Sequence, residues 1–266
     1  MSLQILEWDN LLSRIHNKAL PSAMTIGFFD GVHQGHTELI KHVVRYGENP
    51  TVVTFKENPK KFFEREKYPG DIFSLKQKLS ALKILGIQQV ILIDFSEKFS
   101  RMRGEDFINL LIDRGNLCYM AVGNGFRCGH RMDTNADFIK KMNEAKGIPT
   151  EIIPSLSYGN GFISSSRIRS AIIQGELDLA AALLGRNLEL ELESAELDEG
   201  RLIFDVRDRL IPPQGYYKVL MYKEISPKGL MEKVWEGDIE IGKGKIIIPY
   251  SEYSGCIKIN FLIEFL

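Results

Sequence analysis

The stretch Met24-Thr25-Ile26-Gly27-Phe28-Phe29-Asp30-Gly31-Val32-His33-Gln34-Gly35-His36 decides the fold class. Residues 24–27 read as a short apolar strand, a glycine-rich turn follows at once, and segment 36–46 has the period of a helix. A strand that leaves through such a turn into a helix points unpaired backbone N–H groups, and the positive helix end, at whatever lies above it. That is a natural polyphosphate site. Gly27, Gly31 and Gly35 let backbone approach a ligand closely. His33 and His36 stand three apart, so both imidazoles project from the first turn toward one anion. Losing one donor to transition-state charge costs ~2.7–4 kcal/mol, so two such groups would carry much of a transfer reaction. The plainer account of the same residues is a histidine pair that caps a helix or binds adventitious metal.

Outward from this junction, short apolar runs alternate with helical segments. Thr51–Phe55, 90–93, 119–122 and Thr150–Ile153 read as strands. Segments 74–85, 105–114, 135–146, 166–174 and Leu177–Leu184 read as helices. In the first of these helices Leu75, Leu79, Leu82 and Leu85 share one face, Ser74 with Gln77 forms a capping-box signature, and Gly86 marks the stop. The charged face at 76–83 reads as solvated. Apolar strands separated by helices imply an α/β fold: a Rossmann-like, doubly wound parallel sheet with ligands beyond the carboxyl ends of its strands.

Past Asn187 the period falls to two. Leu188, Leu190 and Leu192 alternate with Glu189, Glu191 and Glu193, and Ile257, Ile259, Phe261, Ile263 and Phe265 share a face near the end. Segment 216–222 and Lys245–Pro249 lie between them. The expected organisation is a nucleotide-handling domain over 1–187 and a small antiparallel, β-barrel-like domain over 188–266.

Composition narrows the function classes. The chain has 266 residues, 44% hydrophobic and 26% charged, which excludes disorder. Thirty-four basic against thirty-five acidic residues give a net charge of -1, a poor match to a nucleic-acid binder. No run approaches the roughly 18 apolar residues of a membrane span. The opening MSLQILEWDN has the features of neither a signal nor a transit peptide. Cys118, Cys128 and Cys256 form no CxxC pair and read as free thiols, so a cytoplasmic protein without a protein-bound metal is expected. His16, His42 and His130 read as surface residues.

A second stretch, Ile163-Ser164-Ser165-Ser166-Arg167-Ile168-Arg169, opens another helix. Hydroxyls and forked guanidiniums at a helix start suit a phosphate. A serine N-cap followed by solvated arginines fits the stretch equally well.

Together, GFFDGVHQGH and ISSSRIR resemble the HxGH nucleotidyltransferase superfamily and, more narrowly, bacterial FAD synthetases. The resemblance extends over residues 20–187 through SLKQKLSALKILGI, FINLLIDRG and AVGNGFRCGH. Such proteins usually join an FMN adenylyltransferase domain to a riboflavin kinase barrel. The resemblance implies ATP and FMN as substrates, with magnesium carried through the nucleotide phosphates. It also implies direct attack of the FMN phosphate on the α-phosphorus, without a covalent enzyme intermediate. His33, His36 and Arg169 match the catalytic residues. Gly27, Phe28, Asp30, Gly35, Ser165 and Ser166 match the ATP site. Phe55, Asn58, Asn124, Phe126 and Arg127 fall on the flavin side. Asp30 is equally a turn former, and aromatics at strand ends such as Phe55 and Phe126 are more often core.

Two departures from the family pattern stand out. Thr54-Phe55-Lys56-Glu57-Asn58-Pro59 replaces the usual Thr-Phe-acid-Pro-His-Pro, and Gly125 precedes Phe126 where Asp or Asn is usual. In the second domain, Gly200-Arg201-Leu202-Ile203-Phe204 stands where a kinase glycine-rich segment belongs, and no Pro-Thr-Ala-Asn follows. Loss of riboflavin kinase activity is therefore expected. A different phosphorylated acceptor, or a retired flavin- or nucleotide-binding regulator, are the alternatives for the whole chain.

Overall fold

The computed structural model describes residues 2–14, 20–63, 68–193, 195–206, 209–224, 231–249 and 261–266. His16, Cys256, Ile257 and Ile259 lie outside them. The chain forms two compact units, Met1–Tyr68 with Lys78–Ile163, and Pro69–Gln77 with Ser164–Leu266.

The first unit is built on six parallel strands: β1 (Gln4–Glu7), β2 (Ser22–Ile26), β3 (Thr51–Phe55), β4 (Gln89–Ile93), β5 (Leu117–Gly123) and β6 (Thr150–Ile153). Their order is β1-β4-β3-β2-β5-β6. Both faces are covered, as an all-parallel sheet requires. On one face Met24, Ile26, Val53, Ile91, Ile93, Met120 and Val122 pack with Phe107, Ile108 and Leu111 of helix Gly104–Gly115. On the other, Ala23, Tyr119, Ala121 and Ile153 meet Val43 of helix α1 (Gln34–Tyr46). Ile108 and Leu111 are fully buried, and truncating either to alanine would cost about 2–5 kcal/mol. Trp8, also buried, stacks edge-on against Phe99.

The chain runs outward from β2 through β3 to β4 and then returns to β5, on the other flank of β2. The strand order thus reverses between β2 and β5, and the crevice at their carboxyl ends is where such folds bind ligands. This is the doubly wound sheet expected from the sequence. The sequence pattern gave no sign of β1, whose four residues are half exposed on the sheet edge.

Helix α2 (Leu75–Ile84) begins with the expected capping box. The Ser74 hydroxyl accepts from Gln77 N at 3.0 Å, and Gln77 Oε1 accepts from Ser74 N at 3.1 Å. The expectation of a solvated face at 76–83 fails at one residue. Lys76 is half exposed and pairs with Glu224 at 2.8 Å, but Lys78 is only 3% exposed. His42 also departs from expectation: its Nδ1 lies 2.8 Å from a Glu151 carboxylate oxygen, on a half-buried patch beside Glu38.

In the second unit, helices α3 (Ser165–Gln174) and α4 (Leu177–Leu184) precede seven antiparallel strands. These are β7 (Glu189–Leu192), β8 (Glu196–Asp198), β9 (Arg201–Asp205), β10 (Gly215–Glu224), β11 (Met231–Gly242), β12 (Lys245–Pro249) and β13 (Phe261–Phe265). Their order is β7-β13-β10-β11-β12-β9-β8, a curled half-barrel. Alternation sets the buried face: Leu190, Leu192, Val219, Met221, Ile239, Ile241, Ile263 and Phe265 all point inward. Trp235 lies on β11, its ring pressed so closely on Gly237 that a Cβ there would stand 2.4 Å from it. Only a glycine fits that position.

Candidate active site

The loop leaving β2 is built around strained backbone. Phe29 (φ 55), Gly31 (φ 73) and Val32 (φ 38) all adopt left-handed conformations, and Phe29 and Val32 are fully buried. A β-branched residue in that region costs of order 1–3 kcal/mol, and such strain clusters at functional sites. Asp30, 1% exposed, sits in the single 3-10 turn Asp30–Val32 that carries the chain to α1.

His33 is the N-cap of α1. Its Nδ1 accepts a hydrogen bond from the backbone N–H of His36 at 3.3 Å. A ring nitrogen that accepts carries no proton, so the neutral His33 imidazole keeps its proton on Nε2 and presents a donor there. The His33 and His36 rings are stacked, with centroids 3.6 Å apart and planes 15° from parallel, and the Phe29 ring lies 4.9 Å from that of His36, tilted by 50°. The plainer reading of the pair is observed: His33 caps the helix, and the cap fixes which nitrogen of its ring carries the proton.

Gly35 packs closely against that arrangement. A Cβ there would stand 3.2 Å from His33 Cε1, and 4.0 Å from the carbonyl oxygen of Ile163. Ile163 opens the ISSSRIR stretch, so its first residue lies beside the histidine turn. Gly27, Phe28, Asp30, Gly35, His33 and His36 thus share one loop–helix junction at the carboxyl end of β2.

The neighbouring strand exits carry the flavin-side candidates. Phe55 ends β3 and meets Phe95 and Phe99 edge-on at 5.9 Å each. Asn58 is buried, and its amide is engaged internally: Nδ2 donates to the Tyr68 hydroxyl at 2.7 Å, and Oδ1 accepts from Lys60 N at 3.0 Å. Beyond β5, Asn124 is exposed and accepts from Ser155 Oγ at 2.8 Å. Phe126 packs partly against the core, and Arg127 is exposed. Next to it Cys128 is held as a neutral thiol, burial first and the Asp133 carboxylate second pushing its pKa to about 12. It offers no thiolate nucleophile to this side of the sheet.

Ser165, Ser166 and Arg169 belong to the second unit. Ser164 caps α3, its hydroxyl accepting from Arg167 N at 3.2 Å. Arg169 is only 7% exposed, and its Nε donates to the Gly70 carbonyl at 3.0 Å. A solvated arginine, the plainer reading of this stretch, does not describe Arg169.

The residue that sequence reasoning missed is Lys78. Its Nζ donates to the carbonyl of Phe55 at 2.7 Å and to that of Phe28 at 3.3 Å, and lies 4.3 Å from the Phe28 ring centroid. These two carbonyl partners belong to the backbone, which leaves no trace in a side-chain pattern.

Among the described residues no group of three or more His, Cys, Asp or Glu side chains is placed to hold a metal ion, and no helix is long and apolar enough to cross a membrane.

A family model described as FAD synthetase matches residues 15–167. The chain belongs to the FAD synthetase family. The resemblance read from GFFDGVHQGH and ISSSRIR is borne out. Bifunctional riboflavin kinase/FMN adenylyltransferases from two subspecies of Buchnera aphidicola are similar to it. The protein from subsp. Acyrthosiphon pisum is 31% identical over 170 residues, covering 62% of this chain and 54% of the relative. That from subsp. Schizaphis graminum is 32% identical over 185 residues, covering 66% and 59%. The chain therefore spans little more than half the length of either. The Escherichia coli K12 protein of the same name is 29% identical over 248 residues, 87% of this chain and 77% of that one. A crystal structure titled as a macrolide-efflux protein from Streptococcus pneumoniae superposes with a TM-score of 0.81 at 21% identity, covering 100% of this chain and 90% of the other. At that identity the likeness is one of fold alone.

Proposed function

We propose that this chain transfers the adenylyl group of ATP to FMN, giving FAD and pyrophosphate in the cytoplasm. The observation that carries the proposal is the stacked His33 and His36 pair at the start of α1, with His33 Nδ1 committed to the cap. An oxygen of the FMN phosphate attacks the α-phosphorus of ATP. That new P–O bond forms as the bond from the α-phosphorus to the bridging oxygen breaks, and pyrophosphate leaves with the electron pair. Negative charge grows on the bridging and terminal oxygens, where the His33 Nε2–H, His36 and the first-turn amides donate. No protein nucleophile takes part, so catalysis rests on positioning and charge stabilisation.

In this reading Gly27, Phe28, Asp30 and Gly35 bed the nucleotide, while Ser165, Ser166 and Arg169 hold its β- and γ-phosphates. Phe55, Asn124, Phe126 and Arg127 serve the flavin. ATP enters as its magnesium complex, the ion held through phosphate oxygens, since magnesium gives up its waters reluctantly. Residues 1–187 form the transferase domain. Residues 188–266 lack kinase activity: the segment 200–204, where a nucleotide loop would be needed, turns at Gly200 into strand β9, with Leu202 and Phe204 buried.

The internal engagement of the Asn58 amide favours one further reading, a related transferase with another phosphorylated acceptor. Chromatographic assay of FAD from ATP, magnesium and FMN separates the two. Pyrophosphate release that is equal with and without FMN would overturn the FMN reading. His36→Ala with an undiminished FAD yield would remove His36 from catalysis. FMN formed from riboflavin and ATP would show that the kinase activity persists.

A further inference from the structure

Among the described lysines Lys78 alone is buried, and its surroundings are those of a tie between backbone segments. Its ammonium bridges the carbonyl of Phe55, the last residue of β3, and the carbonyl of Phe28 in the loop after β2. The Phe28 carbonyl takes a second donor, the Thr54 hydroxyl, at 2.9 Å, and Thr54 is itself fully buried. Taking an ammonium out of water is costly, and a position that needed only packing would be filled more cheaply by methionine or leucine.

A trans peptide points its C=O and N–H in opposite directions. Two donors drawing the Phe28 oxygen toward β3 and α2 therefore turn the N–H of Phe29 away from both. They also hold the link into Phe29, whose φ of 55 is an unfavourable conformation for a residue with a side chain. From Phe29 the chain has only the turn Asp30–Val32 before His33, so the setting of this one peptide fixes where the histidine turn begins.

We propose that Lys78 is a positioning residue of the phosphate loop. With Thr54 it locks the peptide between Phe28 and Phe29, and thereby sets the aim of the loop that carries His33 and His36. It acts through the backbone and does not touch the reacting atoms. The inference rests on the phosphate-handling role given to this loop above.

The test uses the full chain with three variants. Lys78→Met keeps the stem and removes the charge, Thr54→Val removes the other donor at nearly constant shape, and Lys78→Arg restores a cation. Affinity for pyrophosphate and for magnesium ATP is measured by calorimetry, turnover by FAD formation, and folding by circular dichroism. Lys78→Met is expected to weaken pyrophosphate binding about tenfold and to lower kcat about 100-fold. Thr54→Val moves both in the same direction by several-fold, and Lys78→Arg recovers most of the pyrophosphate affinity. Because both donors act on one carbonyl, the double variant loses less than the product of the single losses. A folded Lys78→Met protein with unchanged affinity and kcat would overturn the proposal. Should Lys78→Met fail to fold, unchanged affinity and kcat in Thr54→Val would overturn it instead. The titrations need no acceptor, so a wild-type chain that bound ATP without making FAD would sink the FMN reading and leave this test standing.

Discussion

Two helix starts in this molecule are built alike and differ in one residue type. At α1 a side chain three residues upstream of His36 takes that residue's backbone N–H, and at α3 a side chain three residues upstream of Arg167 does the same. The cap at α3 is Ser164, among the residue types that favour this position. The cap at α1 is His33, which is not. Serine closes the helix end with the same oxygen that carries its proton. Histidine does the same work with one nitrogen and keeps a second on the opposite side of the ring. The His33 ring closes the helix end with one nitrogen and carries its proton on the other, across a rigid ring from the cap, and the proposed function assigns that second nitrogen to the phosphates.

The sharpest way to break that contrast is His33→Asn, which keeps a good cap and removes the imidazole. Turnover is expected to fall about 10²–10³-fold, as for loss of a transition-state donor, with the melting temperature nearly unchanged. Turnover that survived would reduce His33 to a cap. Next in size, Arg169→Lys keeps the charge and loses the Nε bond to Gly70. The KM for ATP should rise about 10-fold or more, the value of a charged hydrogen bond, and steady-state kinetics with FMN saturating would read it.

Gly35→Ala sharpens the comparison from the other side. Alanine at a helical position gains about 0.5–1 kcal/mol over glycine, yet its methyl would crowd the His33 ring at 3.2 Å. Thermal denaturation should show equal or higher stability while kcat drops several-fold, two opposed readouts from one methyl group. The smallest effect is expected from Ser164→Ala. Loss of that cap should cost about 1 kcal/mol, seen as a modest fall in denaturation midpoint, with kcat within a factor of about two.

What was legible in the sequence was local or periodic. The Ser74 and Gln77 box formed as read because both bonds lie within one turn. The alternation of Leu188, Leu190 and Leu192 placed those side chains inward because a strand has only two faces. The missed elements lacked such a signature. Gln4–Glu7 is a half-exposed edge strand, and Met231–Gly242 carries charges at five of its positions, so neither shows a clean apolar stripe. Within the site, the sequence could name His33 and Gly35 but not explain why they occur together, because the ring that Gly35 must clear is placed only by the cap. Lys78 was hidden for a related reason: the two carbonyls that it bridges are main chain, the same at every position.

The aromatic arrangement has one practical consequence. The chain has two tryptophans, and they are divided between the units: Trp8 lies deep in the first among Phe99 and Phe107, and Trp235 is half-buried on β11 of the second. Replacing either indole with phenylalanine leaves a single emitter whose spectrum reports on its own sheet. Unfolding of the parallel-sheet unit and of the half-barrel can then be followed separately, one in each variant, without any added dye.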